Sequence, residues 1–337
     1  MLASGKGEWP PEELWRCFRV PLPETIQKIT TGLSSDPLFR VKNTQGNWAL
    51  KSSPFTPEWK QKRSALHEIL RGASLVVPEY ISCPAITSLV VMEGRIWELF
   101  PWIVGEQKTC SELGPKHWRE LARFLKIAHL GLRKSGGESK APIGYLPSFQ
   151  SRFVELKKAW DHLYGGPLVW PEPFLAHPSW STISPRLKET IGWALQDLAW
   201  MQKQSVGIQP IHGDPHLGNW LWRKDLPVGL VDFLGPRDCI EADIARICGS
   251  DELDPFEVCR VFCLGYAEMD KVELDQSVGI ALAMLFSGLT ARIFRWRNWL
   301  LGGNVSVAAA RIRLNGVLDQ FPKAISWRQN RNWPGAM

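Results

Sequence analysis

The chain changes its hydrophobic period near residue 101, and that change limits what it can fold into. Before it, short β-prone segments are cut by turn signals; after it, apolar residues recur at helical spacing. Thr25 to Ile29, Leu38 to Lys42 and Trp48 to Ser52 are predicted strands, separated by Thr31-Gly32 and by Asn43-Thr44-Gln45-Gly46. A helix is predicted over Pro57 to Arg71, where Leu66, Ile69 and Leu70 recur at helical spacing and Pro57 suits a first turn. Two more strands, Ser88 to Met92 and Arg95 to Phe100, are joined by Glu93-Gly94, a tight hairpin signal. The first hundred residues therefore read as five strands with one helix after the third.

Beyond Pro101-Trp102, His117 to Leu132 is predicted as an amphipathic helix with Leu121, Phe124, Leu125 and Ala128 on one face. Residues 133–185 are rich in Gly, Pro, Ser and Trp and read as irregular, with one helix near Phe149 to Leu163. Pro185 to Gln204 is predicted helical, followed by a loop, a hairpin within 220–232 and three helical stretches to about Phe321. The expected class is α+β. A small, mostly β N-terminal lobe spans 1–103, a larger and mostly helical lobe spans 104–325, and 326–337 form a tail.

Composition narrows the function classes. With 45% hydrophobic and 22% charged residues, wholesale disorder is excluded. The net charge of +6 is mild, and Lys and Arg are spread along the chain, which argues against a nucleic-acid partner. The uncharged run Ser277 to Ala291 stops at Arg292, short of the roughly 18 residues a membrane span needs. The first residues carry no apolar signal core. Seven cysteines, odd in number and without a C-x-x-C pair, read as reduced and mostly buried thiols. A cytoplasmic protein with no membrane partner is expected. The 18 tryptophans are scattered from Trp9 to Trp333, so packing explains them better than a cationic cage.

The chemistry concentrates in Ile211 to Ile244. Trp220-Leu221-Trp222 and Gly229-Leu230-Val231 are β-prone, with Arg223 to Val228 between them. Folded as a hairpin with Trp220 opposite Val231, they set Asn219 opposite Asp232. Asp214 lies five residues before Asn219 in a Gly/Pro-marked loop, so three oxygen-bearing side chains can surround one point. Hard oxygen donors suit Mg²⁺, which shares its coordination sphere with substrate phosphates. A carboxylate left off the metal can accept a proton from a hydroxyl, and phosphoryl transfer needs both groups.

His212-Gly213-Asp214-Pro215-His216-Leu217-Gly218-Asn219, followed thirteen residues later by Asp232-Phe233, resembles the signature of the aminoglycoside phosphotransferase and choline kinase family. These are small-molecule kinases with a two-lobed, protein-kinase-like fold. The resemblance implies that Asp214 is the catalytic base and that Asn219 and Asp232 hold Mg²⁺. It makes His212 a brace for the loop, His216 a supporting loop histidine, and Asp243 a buried carboxylate that holds the loop. Trp48-Ala49-Leu50-Lys51 resembles the family's third strand, whose lysine pairs with the α- and β-phosphates of ATP. The turn holding Gly32, Ser34 and Ser35 would offer backbone N–H groups to phosphates. Phe100 would back the adenine, the Pro101 carbonyl would accept from its amino group, and the Ile103 N–H would donate to its ring.

Some residues depart from the family pattern. The helix at 57–71 should supply a carboxylate to Lys51, yet Lys62 and Arg63 occupy the expected turn, leaving Glu58 or Glu68 as substitutes. The basic tail argues against a polycationic acceptor, while Asp251, Glu252, Asp254 and Glu257 argue for one. Arg292-Ile293-Phe294-Arg295-Trp296, with Trp299-Leu300, leaves room for an anionic substrate group. The function expected is transfer of the γ-phosphoryl group of ATP, with Mg²⁺, to a hydroxyl of a small molecule. The alternative is a nucleotide-binding scaffold with little transferase activity. A protein kinase is disfavoured, because Asp232 and Asp243, only eleven residues apart, leave no room for an activation segment.

Overall fold

The computed structural model describes residues 9–29, 37–72, 89–166, 168–249, 258–262, 271–303 and 307–330. The chain divides into two compact units. One comprises 1–107, 127–137 and 220–234; the other comprises 108–126, 138–219 and 235–337. The hairpin expected to belong to a C-terminal lobe thus groups with the N-terminal strands.

The first unit is built on β1 (Thr25–Ile29), β2 (Leu38–Asn43), β3 (Gly46–Pro54), β4 (Leu89–Met92) and β5 (Arg95–Pro101), an antiparallel sheet of order β1-β2-β3-β5-β4. Turn chemistry sets its register. Glu93 and Gly94 both take positive φ, 49° and 70°, as a two-residue hairpin of matching twist requires. Asn43 Oδ1 accepts from the Gln45 and Gly46 N–H groups and from Trp48 Nε1, closing the β2–β3 turn.

Strand alternation gives the sheet two different faces. Phe39, Val41, Trp48, Leu50, Trp97 and Leu99 form one, and α1 (Glu13–Phe18) covers it with Leu14, Trp15 and Phe18. That helix escapes the sequence reading because six residues carry too little periodic signal. The opposite face presents Lys51, Glu98 and Phe100, with Lys51 and Glu98 paired across the β3–β5 ladder. Here α2 (Pro57–Gly72) contributes Arg63, Leu66, His67 and Leu70.

The connection after β5 is stitched to the second hairpin, β8 (Trp220–Arg223) and β9 (Leu226–Leu230). Glu106 and Trp222 exchange backbone hydrogen bonds of 2.9 and 2.8 Å. Gly105 permits this approach, since a Cβ there would stand 3.0 Å from both Leu221 Cβ and the Trp222 carbonyl oxygen. The hairpin itself corrects the expected register. Trp220 pairs with Leu230, not Val231, and a bulge falls between Leu221 and Trp222. Only Lys224 and Asp225 form the turn, with Lys224 at φ 57°. The ladder therefore does not set Asn219 opposite Asp232.

The second unit is mostly helical. Its helices include α4 (Pro147–Gly165), two single turns, α5 (Glu172–Leu175) and α6 (Trp180–Ile183), α7 (Leu187–Met201), α8 (Ile240–Cys248), α9 (Lys271–Leu301) and α10 (Val307–Asn330). The amphipathic α3 (Pro115–Gly136), of which 115–126 belong to this unit and 127–136 to the first, buries Leu121, Leu125, Ala128 and Leu132. A small sheet of order β10-β7-β6 (Arg237–Asp238, Ser205–Pro210, Ser139–Pro142) sits where a loop was expected. The Gly and Pro in β7 hide it from a propensity reading. Helix α10 runs past the expected end at Phe321, through Pro322, because Leu314, Leu318, Phe321, Ala324 and Ile325 are all buried. Helix α9 is apolar nearly all round, and Asp275–Leu301 is long and apolar enough to cross a membrane, beyond the length expected from the sequence. The most apolar 18-residue stretch of it is 89% buried in the protein, and the helix packs on α4, α7, α8 and α10.

Gly105→Ala should lower the urea midpoint of unfolding by about 1–3 kcal/mol of stability, because the added methyl meets backbone rather than a movable side chain.

Candidate active site

Lys51 projects from β3, half-buried, and its Nζ lies 2.6 Å from Asp232 Oδ1. Asp232 follows the hairpin by two residues and holds φ at 63°, a left-handed conformation that aspartate tolerates better than most side chains. The carboxylate sought on α2 is not the partner: Glu58 and Glu68 are both exposed.

In its place stands an arrangement of opposite polarity. Glu98, on β5 beside Lys51, is 1% exposed. His67 Nε2 lies 2.8 Å from its Oε1, and Arg63 Nε lies 3.4 Å from its Oε2, an ion pair without hydrogen-bond geometry. Arg63 Nη1 donates 3.1 Å to the carbonyl of Phe233, the residue after Asp232. One arginine on α2 thus fastens the Asp232–Phe233 segment and helps neutralise Glu98. The His67 ring stacks on Phe100, with centroids 5.5 Å apart. Lys51, Arg63, His67, Glu98, Phe100, Asp232 and Phe233 line one pocket with Leu66 and Leu70.

Beyond Phe100, Trp102 N–H donates to the Asn47 carbonyl at 2.9 Å, extending the strand past Pro101. Among the described residues no backbone acceptor takes the Ile103 N–H. The Ile103 side chain is buried against Gly229 of β9. Gly32, Ser34 and Ser35 lie outside the described residues, as do Asp251, Glu252, Asp254, Glu257 and the tail from 331.

In the second unit, β7 delivers the loop from Ile211 to Asn219. Asp243, fully buried on α8, accepts from the His212 and Gly213 N–H groups at 2.8 Å each. Gly213 has φ 90°, a conformation that side chains strain to adopt. His212, also fully buried, receives the Asp214 N–H on Nδ1 at 3.1 Å. Asn219 Nδ2 donates 2.8 Å to the Asp214 carbonyl, which leaves its Oδ1 as an open acceptor. The Asp214 side chain is about one-third exposed; Arg246 Nε holds its Oδ1 at 2.5 Å, and His216 Nε2 lies 3.8 Å from its Oδ2.

The candidates therefore meet in two groups, Lys51 with Asp232, and Asp214 with Asn219, His212 and His216, while Asp243 holds the backbone at His212. Four residues of the site were missed from sequence: Arg63, His67, Glu98 and Arg246. A signal existed for three of them. Glu98 interrupts the apolar run Ile96-Trp97-Leu99-Phe100, and Arg63 and His67 share the face of Leu66 and Leu70. Arg246 carries no such mark.

Glu98→Ala strands two buried cation-forming groups and should cost about 3–5 kcal/mol in urea denaturation. The double variant Glu98→Ala/Arg63→Met should cost less than the sum of its single variants.

Solved structures with this architecture include phosphotransferases and kinases of small molecules. The spectinomycin phosphotransferase APH(9)-Ia, crystallised with ADP and spectinomycin, superposes at a TM-score of 0.60 with 14% identity over 96% of this chain and 95% of that one. Amicoumacin kinase, in complex with AMP-PNP, Ca²⁺ and its antibiotic, gives 0.57 with 10% identity over 89% of each chain. An ethanolamine kinase from Plasmodium vivax gives 0.55 with 12% identity over 89% of this chain and 82% of that one. At such identities the likeness establishes the kinase-like fold. No curated protein matches the sequence. Residues 25–235 do match the phosphotransferase enzyme family APH, and the chain belongs to that family.

Proposed function

We propose that the protein is an ATP- and Mg²⁺-dependent phosphotransferase that moves the γ-phosphoryl group to a hydroxyl of a small molecule. The observation that carries this reading is the Lys51–Asp232 contact of 2.6 Å. It sets a phosphate-binding cation against a carboxylate whose second oxygen remains open for a metal.

The donor set fits Mg²⁺. Asp232 offers a carboxylate oxygen, and Asn219 offers the amide oxygen freed when its Nδ2 donates to the Asp214 carbonyl. Among the described residues no group of three His, Cys, Asp or Glu could hold a metal by itself. Two oxygen donors from the protein suit an ion that completes its sphere with phosphates and water. When bound, Mg²⁺ would neutralise charge that develops on the phosphates.

The protein's own residues divide the remaining work. Lys51 anchors the α- and β-phosphates, and Pro101 and Ile103 offer backbone groups to the adenine, which Phe100 backs. Arg246 holds one Asp214 oxygen, and the other, 3.8 Å from His216 Nε2 and without a hydrogen bond to it, accepts the hydroxyl proton of the acceptor. Asp243, through two backbone N–H groups, keeps the loop bearing that carboxylate in place. His212 fixes the Asp214 backbone and needs no proton of its own in the reaction. The cytoplasm is the proposed compartment, with no membrane or nucleic acid as partner. The spread of basic residues and the burial of α9 support this.

A scaffold that binds nucleotide without turnover is the second reading, and its support is that α2 offers Lys51 no carboxylate. The retention of Asp214, Asn219 and Asp232 together weighs against it.

Asp214→Asn should leave ATP binding nearly intact and reduce turnover by about 10²- to 10⁴-fold, measured as ADP release with an acceptor. Equal loss of binding and turnover would remove Asp214 from the role of base. Asp232→Ala should abolish the Mg²⁺-dependent thermal shift given by ATP, a shift set by ligand concentration over Kd. An unchanged shift would overturn the metal assignment.

A further inference from the structure

Around Asp214 the second unit gathers more cations than it neutralises. Arg246, from α8, is taken by Asp214 itself. Arg295, from α9, is taken by Glu155 of α4 in a bidentate pair of 2.7 and 2.8 Å. Arg292, one turn back on α9, donates only to the Gly288 carbonyl of its own helix, at 3.3 Å. Its Nη2 reaches the C-terminal end of α8, 3.4 Å from where a Cβ of Gly249 would stand. Arg152, on α4, packs against α9 near Gly288, and its Nη1 is buried with no hydrogen-bond partner. Among the described residues no carboxylate lies within ion-pair distance of Arg292 or Arg152.

Such a cluster is unfavourable as it stands. Burial pulls the Arg292 guanidinium down to about 9; the charges of Arg246, Arg152 and Arg295 add to this, and Asp214 opposes it. Burial also lowers Arg152, against the pull of Asp238, whose own carboxyl is raised by burial. Two guanidinia without a paired carboxylate, Arg292 half-buried and Arg152 with a buried Nη1, are the complement of an oxyanion.

We infer that the acceptor carries an anionic group, a carboxylate or a phosphate ester, which binds Arg292 and Arg152 while its hydroxyl is presented to Asp214. This rests on the phosphotransferase reading and narrows it: cationic acceptors such as amino alcohols and polyamine antibiotics are disfavoured, and hydroxy acids and sugar phosphates are favoured. A guanidinium makes two parallel hydrogen bonds to either oxyanion, so the arginines specify the charge and the rest of the acceptor distinguishes the two kinds.

The test is a thermal-shift titration of the full chain saturated with AMP-PNP and Mg²⁺, with D-glycerate and glycerol 3-phosphate as anionic probes and choline and ethanolamine as cationic ones. At least one anion should raise Tm saturably and neither cation should; which anion acts tells carboxylate from phosphate. Arg292→Gln and Arg152→Gln should each weaken that response at least tenfold while keeping the AMP-PNP shift, which also certifies folding. Arg292→Lys should retain part of it. No anion response in wild type, a response to the cations, or a full response in both glutamine variants would overturn the inference. Loss of the AMP-PNP shift in folded glutamine variants would assign the arginines to the nucleotide instead, overturning the inference while sparing the phosphotransferase reading. If wild type shows no AMP-PNP shift, that reading fails, and the anion titration still decides whether the arginines form an anion site.

Discussion

A carboxylate removed from water must receive hydrogen bonds or cations from the chain around it, and each unit is organised by one that does so. In the first, Glu98 lies under the sheet face that carries Lys51 and draws Arg63 and His67 from α2 onto β5. In the second, Asp243 accepts the His212 and Gly213 N–H groups and so determines the path of the loop that bears Asp214. Glu98 lines the pocket beside Lys51 and matches the cations of α2, while Asp243 sets the backbone from which Asp214 projects.

The polarity of the Glu98 cluster has a consequence for Lys51. A glutamate on the helix would compete with Asp232 for the lysine. Here α2 carries the cations, the strand carries the carboxylate, and Glu98 is already matched by Arg63 and His67. Lys51 is left to Asp232, at 2.6 Å. Arg63 reaches on to the Phe233 carbonyl, so the helix positions Asp232 through the backbone of its neighbour instead of positioning the lysine through an ion pair. In place of a helix carboxylate paired with the lysine, Arg63, His67 and Glu98 divide opposite charges between α2 and β5.

This distribution explains what could be read from sequence. Strands β1, β4 and β5 and helix α2 were legible because local signals, a period of two or of 3.6 and a Glu-Gly turn, agree with the final packing. The loop signature from His212 to Asn219 was legible because its residue types are dictated by chemistry at short range. The hairpin after it was misread by one residue, since a bulge at Leu221/Trp222 and a two-residue turn leave no mark in composition. The pairing of Arg63 with Glu98 joins residues 35 apart and could not be assigned without the fold. The charged residue within Ile96 to Phe100 shows only that some partner must exist.

Helix α9 shows how the protein sustains such sites. From Val278 to Ala291 nearly every side chain is buried, and on the scale of about 25 cal/mol per Å² of apolar surface that burial is a large share of the second unit's stability. The same helix continues into half-buried Arg292 and Arg295 while Ile293, Phe294 and Trp296 remain buried, so its later turns carry charge at the edge of the core. Burying a guanidinium without its anion costs several kcal/mol. The neighbouring apolar stretch works against a cost of that kind. A helix that looks from composition like a membrane span is thus better understood as the hydrophobic support for a cationic end, and its apolarity and its arginines are two parts of one arrangement.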